Sequence, residues 1–132
     1  MIDIETDVFD AVYPFIEPLV PEGGFVSEYV PKPMALPHVS LYESDNTPDR
    51  RTADTGKREW SCIVVYESSV YARSKPECRA IQAALDSAMV EMMGFTKLNG
   101  NFIPNLPDRT IYRIVARYTR GVTHNGDFYR PT

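Results

Sequence analysis

The stretch that decides the fold is EWSCIVVYESSVYARSKPECRAIQAALDSAMVEMMG, Glu59 to Gly94. It opens as the longest strand candidate of the chain, Glu59 to Tyr71. Trp60, Cys62, Val64 and Tyr66 share one face while Ile63 and Val65 share the other, the period of two expected of a strand covered on both sides. The period then changes. Ser74-Lys75-Pro76-Glu77 reads as a capping box, Ser first and Glu three later, so a helix begins there. From Lys75 to Met93 the apolar residues Cys78, Ile81, Leu85, Ala88, Met89 and Met92 form one stripe at helical spacing. Gly94 provides the left-handed residue at which such a helix stops. A strand followed by a one-sided helix predicts a helix laid on a sheet, with Ile81 and Leu85 in the core.

The rest of the chain extends this pattern. A first helix is predicted from about Asp3 to Leu19, with Val8, Val12, Phe15, Ile16 and Leu19 on its apolar face. Asp3, Glu5 and Asp7 suit its positive end, and Pro14 should bend or weaken its second half. Gly23-Gly24 make a turn, and Phe25 to Tyr29 a short strand. Pro31 and Pro33 cannot donate to a ladder and close it off. Pro37 to Ser44 reads as a further strand, Val39 and Leu41 on one face and Ser40 and Tyr42 on the other. Asp45 to Lys57 is polar throughout and is predicted to be a long exposed loop. Phe95 to Ile103 and Arg109 to Val122 read as two antiparallel strands joined by a turn-rich link. The polar end, Thr123 to Thr132, is expected as an extended tail. The order is α-β-β-β-α-β-β. The fold class is α+β: a mainly antiparallel sheet with two helices packed on one face, all 132 residues forming one domain.

Composition narrows the function. The formal charge of -4 argues against a nucleic-acid-binding face, which needs clustered Lys and Arg. It does not argue against a surface that DNA slides past. No apolar run approaches the ~20 residues of a membrane span, and the acidic start is no signal peptide. Cys62 and Cys78 lack the short spacing of a metal site and read as small buried residues. His38 and His124 are the only histidines. A set of Cys78, His38 and Asp86 is conceivable as a nucleophile, base and orienter, but Cys78 belongs to the core stripe. No phosphate loop, zinc pattern, calcium loop or dinucleotide fingerprint is present, so neither a cofactor nor an enzyme is expected.

Arginine is the more informative residue. Arg113, Arg117 and Arg120 lie on one predicted strand. Two readings are open: cross-strand pairing with Glu43, Glu59 or Glu67, or a bidentate grip on acidic groups of a neighbouring subunit. Arg50 and Arg51 sit in the long polar loop, where solubility alone or assembly would explain them. Eight tyrosines are compatible with a tyrosine-rich interface. Arg50, Arg51, Arg113, Arg117 and Tyr129 are the candidate interface residues.

Spread along the chain are Ile2-Asp3-Ile4-Glu5 with Val8-Phe9, Glu28-Tyr29-Val30, Pro37-His38-Val39-Ser40 with Glu43, and Arg50-Arg51. Further on come Tyr66-Glu67 with Val70-Tyr71, Glu77-Cys78 with Ile81, and Met92-Met93-Gly94-Phe95. Pro104-Asn105 with Asp108, Ile111-Tyr112-Arg113 and Ala116-Arg117-Tyr118 complete the set. In these the chain resembles the small tail terminator, or tail completion, proteins of long-tailed phages and prophages of Gram-positive bacteria. The resemblance covers nearly the whole chain and is a pattern, without a catalytic signature. It implies a homohexameric ring at the tail-neck junction of a virion, assembled in the host cytoplasm. Such a ring caps the tail tube, stops its polymerisation, and meets the major tail tube protein on one side and the head-tail connector on the other. DNA passes through the lumen without specific binding. The resemblance implies no cofactor, no membrane and no catalytic residue. A neck, head-completion or minor tail protein remains an alternative, and a small hydrolase or binding module a more remote one.

Overall fold

The computed structural model of the protein describes residues 3–21, 23–30, 33, 35–48, 61–104 and 110–123, and the backbone of 128–129. Helix α1 is Glu5–Ile16, followed by a 3-10 turn, Glu17–Leu19. Strands β1 (Phe25–Val26), β2 (His38–Pro48) and β3 (Ser61–Ala72) come next, then helix α2 (Lys75–Asp86). Strands β4 (Thr96–Phe102), β5 (Tyr112–Thr123) and β6 (Phe128–Tyr129) complete the chain. The sheet order is β1-β2-β3-β5-β4, with β6 beside β5 beyond the end of β4. Every pairing is antiparallel except the short β1–β2 one. Both helices lie on one face, so the fold is α+β as the patterning predicted.

The expected start signal of α2 is present: the Glu77 N–H donates to Ser74 Oγ at 3.3 Å. Cys78, Ile81 and Leu85 are buried, with Ala88 and Met89 beyond them, but Met92, expected in the same stripe, is 48% exposed because the π stretch shifts the helical phase. The last stretch, Ser87–Met92, widens from α to π geometry before Gly94 ends it at φ +73°. There Arg120 donates to the Gly94 carbonyl, and a Cβ on Gly94 would collide with that guanidinium. The helix end is thereby tied to the sheet through one of the carbonyls that helix termini leave unpaired.

Register decides which side of each strand is covered. Cys62, Val64, Tyr66 and Val70 of β3 stand opposite Val122, Arg120, Tyr118 and Ile114 of β5, on the helix face. Val39 and Leu41 of β2 join them. The core is that face plus Val8, Val12 and Ile16 of α1 and the α2 stripe.

Three further expectations need correction. Phe15 and Leu19 were placed on the apolar face of the first helix but are each 42% exposed. Phe15 lies at the flank of the stripe. Leu19 falls in the 3-10 turn, where about 3.0 residues per turn replaces 3.6 and the phase is lost. The helix passes through Pro14 and tightens only afterwards. The long loop does not begin at Asp45, because Asp45 to Pro48 pair with Val65 to Cys62 after a bulge. A strand of Asp, Asn, Thr and Pro shows no apolar alternation, so nothing in the local pattern distinguishes it from a loop. Finally, the C-terminal segment is not wholly an extended tail, since Phe128 and Tyr129 pair with Val122 and Gly121.

Candidate assembly surfaces

The helix-free face of the sheet carries the predicted arginines. Tyr71, Ser69, Glu67 and Val65 of β3 stand opposite Arg113, Val115, Arg117 and Thr119 of β5, and β2 adds His38, Ser40 and Tyr42. Arg117 Nε donates to Glu67 Oε1 at 2.9 Å, the cross-strand pairing that the sequence left open. The Tyr42 hydroxyl also donates to Glu67. Desolvation opposes ionisation of Glu67, but the bonds from Tyr42 and Arg117 and the nearby Arg113 charge outweigh it and hold the carboxyl below its ordinary value. Tyr42 is pushed up by burial and by the Glu67 carboxylate.

Arg113 behaves differently. Its guanidinium lies 5.5 Å from the ring centre of Tyr29 and 5.4 Å from that of Tyr71, and donates to Ser69 Oγ at 3.3 Å. It is held by aromatic faces and a hydroxyl instead of a carboxylate, a geometry the planar guanidinium suits. Tyr29 in turn meets Tyr42 edge-on. Tyr29 is exposed above this face and Arg117 is exposed on it, while Tyr71, Ser69, Ser40 and His38 are buried. His38 is buried beside Tyr71, and burial lowers its pKa. Arg120, grouped with the other two in the sequence, points to the opposite face and serves the helix end. Arg50 and Arg51 lie outside the described residues, as does the Tyr129 side chain, although the Tyr129 backbone pairs with Gly121.

The structure does not bring the conceivable catalytic set together. His38 is on the helix-free face. Cys78 is in the core, its thiol donating to the Val70 carbonyl at 3.3 Å and pushed up to about 11 by burial. Asp86 accepts from the Tyr118 hydroxyl and pairs with Lys97 instead. Among the described residues no three His, Cys, Asp or Glu side chains converge as a metal site, and no helix is long and apolar enough to cross a membrane.

The two margins of the sheet differ in charge, which sequence reasoning missed. At the β1–β2 margin, Glu5 Oε2 accepts from the Glu43 N–H at 3.0 Å and fastens α1 there, and Phe9 stacks on Phe25. Burial raises the Glu43 pKa, and the neighbouring Glu5 and Asp3 charges add to the effect. At the β4 margin, Lys75 and Arg79 of α2 lie over the Phe102 ring, and Lys97 meets Asp86 at 2.9 Å. The spacing of Lys75 and Arg79, four apart on a helix, was the available signal. Only the sheet order shows that it faces β4.

This architecture has a match among solved structures. The chain shares its fold with one chain of the virion of a native gene transfer agent particle. The TM-score is 0.58 at 20% sequence identity, over 84% of this chain and 90% of the other. No family model and no curated protein matches the sequence.

Proposed function

We propose that this protein is a structural virion protein, a tail terminator that forms a hexameric ring on the end of a tail tube. The observation that carries the reading is the fold shared with a virion chain over most of both chains, at a TM-score of 0.58. It agrees in kind with the sequence resemblance to tail terminators. The ring ends tube polymerisation and offers its other side to the head connector at the tail-neck junction. The work is binding alone, without catalysis or cofactor. Each subunit meets two copies of itself, the tail tube protein below and a neck protein above. DNA passes through the lumen, and the net charge of -4 disfavours its sticking there.

A rigid sheet with a tyrosine–arginine face supports this reading, since such residues are enriched where protein surfaces meet. The test is deletion of the gene from its phage or prophage, with particles imaged by electron microscopy. The expected result is tubes of uncontrolled length and heads without tails, reversed by the wild-type gene. Tubes of normal length that fail only to join heads would move the protein to the connector side of the neck. Normal particles would refute a role in the virion.

A further inference from the structure

We propose that copies of this chain join side by side, the β4 margin of one seated on the α1–β2 margin of the next; the contact rests on the ring reading above. Three observations carry it. The first is charge. At the α1–β2 margin Asp3, Glu5 and Glu43 stand together, and α1 also exposes Asp7 and Asp10, with no Lys or Arg anywhere in the helix. The opposite margin presents Lys75, Arg79 and Lys97, with the Asp86 carboxylate paired to Lys97. Among the described residues no carboxylate pairs with Lys75 or Arg79. The two margins of one sheet therefore attract each other across copies, which sets partner and orientation.

The second observation is exposed apolar surface at both margins. Leu98 is 53% exposed on β4, with Phe102 and Ile103 beside it, while Tyr13, Phe15 and Leu19 are exposed along α1 and the turn after it. Each margin thus pairs an apolar patch with one sign of charge, as an interface core and its polar rim do.

The third is strand direction. β2 is antiparallel to β3, β3 to β5 and β5 to β4, so β4 runs opposite to β2. With the ring axis along the strands, a neighbour related by rotation sets its β2 margin antiparallel to this copy's β4. The contact is heterologous, since each copy uses one margin to give and the other to receive. Contacts of that kind close into rings when the rotation fits. All residues of β4 are exposed and its outer side has no strand partner among the described residues, the condition in which an edge invites another chain.

The test uses the full-length protein, weighed by mass photometry and imaged in negative stain over a concentration series. One variant carries Lys75→Glu with Arg79→Glu, a second Asp3→Lys with Asp10→Lys, and a third all four changes. Circular dichroism checks that each folds. The first two should need at least about tenfold more protein to form rings, and the fourfold variant, with both margins inverted, should recover most of that loss. Rings indifferent to either reversal, or a fourfold variant no better than the singly reversed ones, would overturn the contact and leave the ring reading standing. A wild-type chain that stays monomeric at every concentration would overturn the ring and the contact with it.

Discussion

Leu85→Ala tests the packing on which every surface described above depends. Leu85 is 0% exposed in the α2 stripe beneath the sheet. Truncation removes three carbons, and at about 0.8 kcal/mol per buried carbon the transfer loss is about 2.4 kcal/mol. The walls are a helix and a hydrogen-bonded sheet, which collapse poorly. A residual cavity of about 60 Å³ adds roughly 1.5 kcal/mol at about 24 cal/mol per Å³. The expected destabilisation is about 4 kcal/mol, inside the range found for buried Leu→Ala changes. For 132 residues, an unfolding entropy of about 2.1 cal/mol/K per residue converts this to a Tm lower by about 14 °C. The assay is thermal unfolding by circular dichroism. Protein concentration is fixed and low, because assembly would stabilise wild type and variant alike. Ala83→Ser, on the exposed side of the same helix, should stay within about 0.5 kcal/mol of wild type. A fall of less than about 5 °C for Leu85→Ala would refute the helix phase.

Gly94→Ala should cost about 1–2 kcal/mol from the left-handed backbone alone, and its Cβ would displace the Arg120 guanidinium. Denaturant unfolding measures it, and an unchanged midpoint would refute the role given to that turn. His38 has its pKa lowered from 6.5 by burial, so its contribution to stability is present above pH 6.5 and is lost as pH falls toward the lowered folded value. His38→Gln should flatten the loss of stability below that pH in chemical unfolding. An identical slope in both proteins would show that His38 is not the group responsible.

Local chemistry alone determined the elements with strong periodicity. The α2 stripe, its Ser74 cap and its Gly94 stop were all readable, because a helix half in water and half in the core writes that boundary into its own sequence. The same holds for the alternation of β3 and β5, and for the fold class that follows from their order. Where the boundary is missing, the reading stops. Asp45 to Pro48 are polar on every side, so only pairing with Val65 to Cys62 makes them a strand.

The candidate surfaces depended still more on tertiary structure. Arg113, Arg117 and Arg120 look alike along the chain. Only position separates them: the period of two sets Arg120 on the face opposite Arg113 and Arg117, whereas which face the helices cover, and that Tyr29 meets Arg113, is decided by the tertiary structure. The opposed charges of the two margins are likewise invisible in sequence. Glu5 and Lys75 come from separate helices, and which margin each occupies is set by the order β1-β2-β3-β5-β4. Periodicity reports where one segment meets water. Which segments become neighbours is decided by hydrogen bonds and packing between residues far apart in the chain, and no local pattern carries that information.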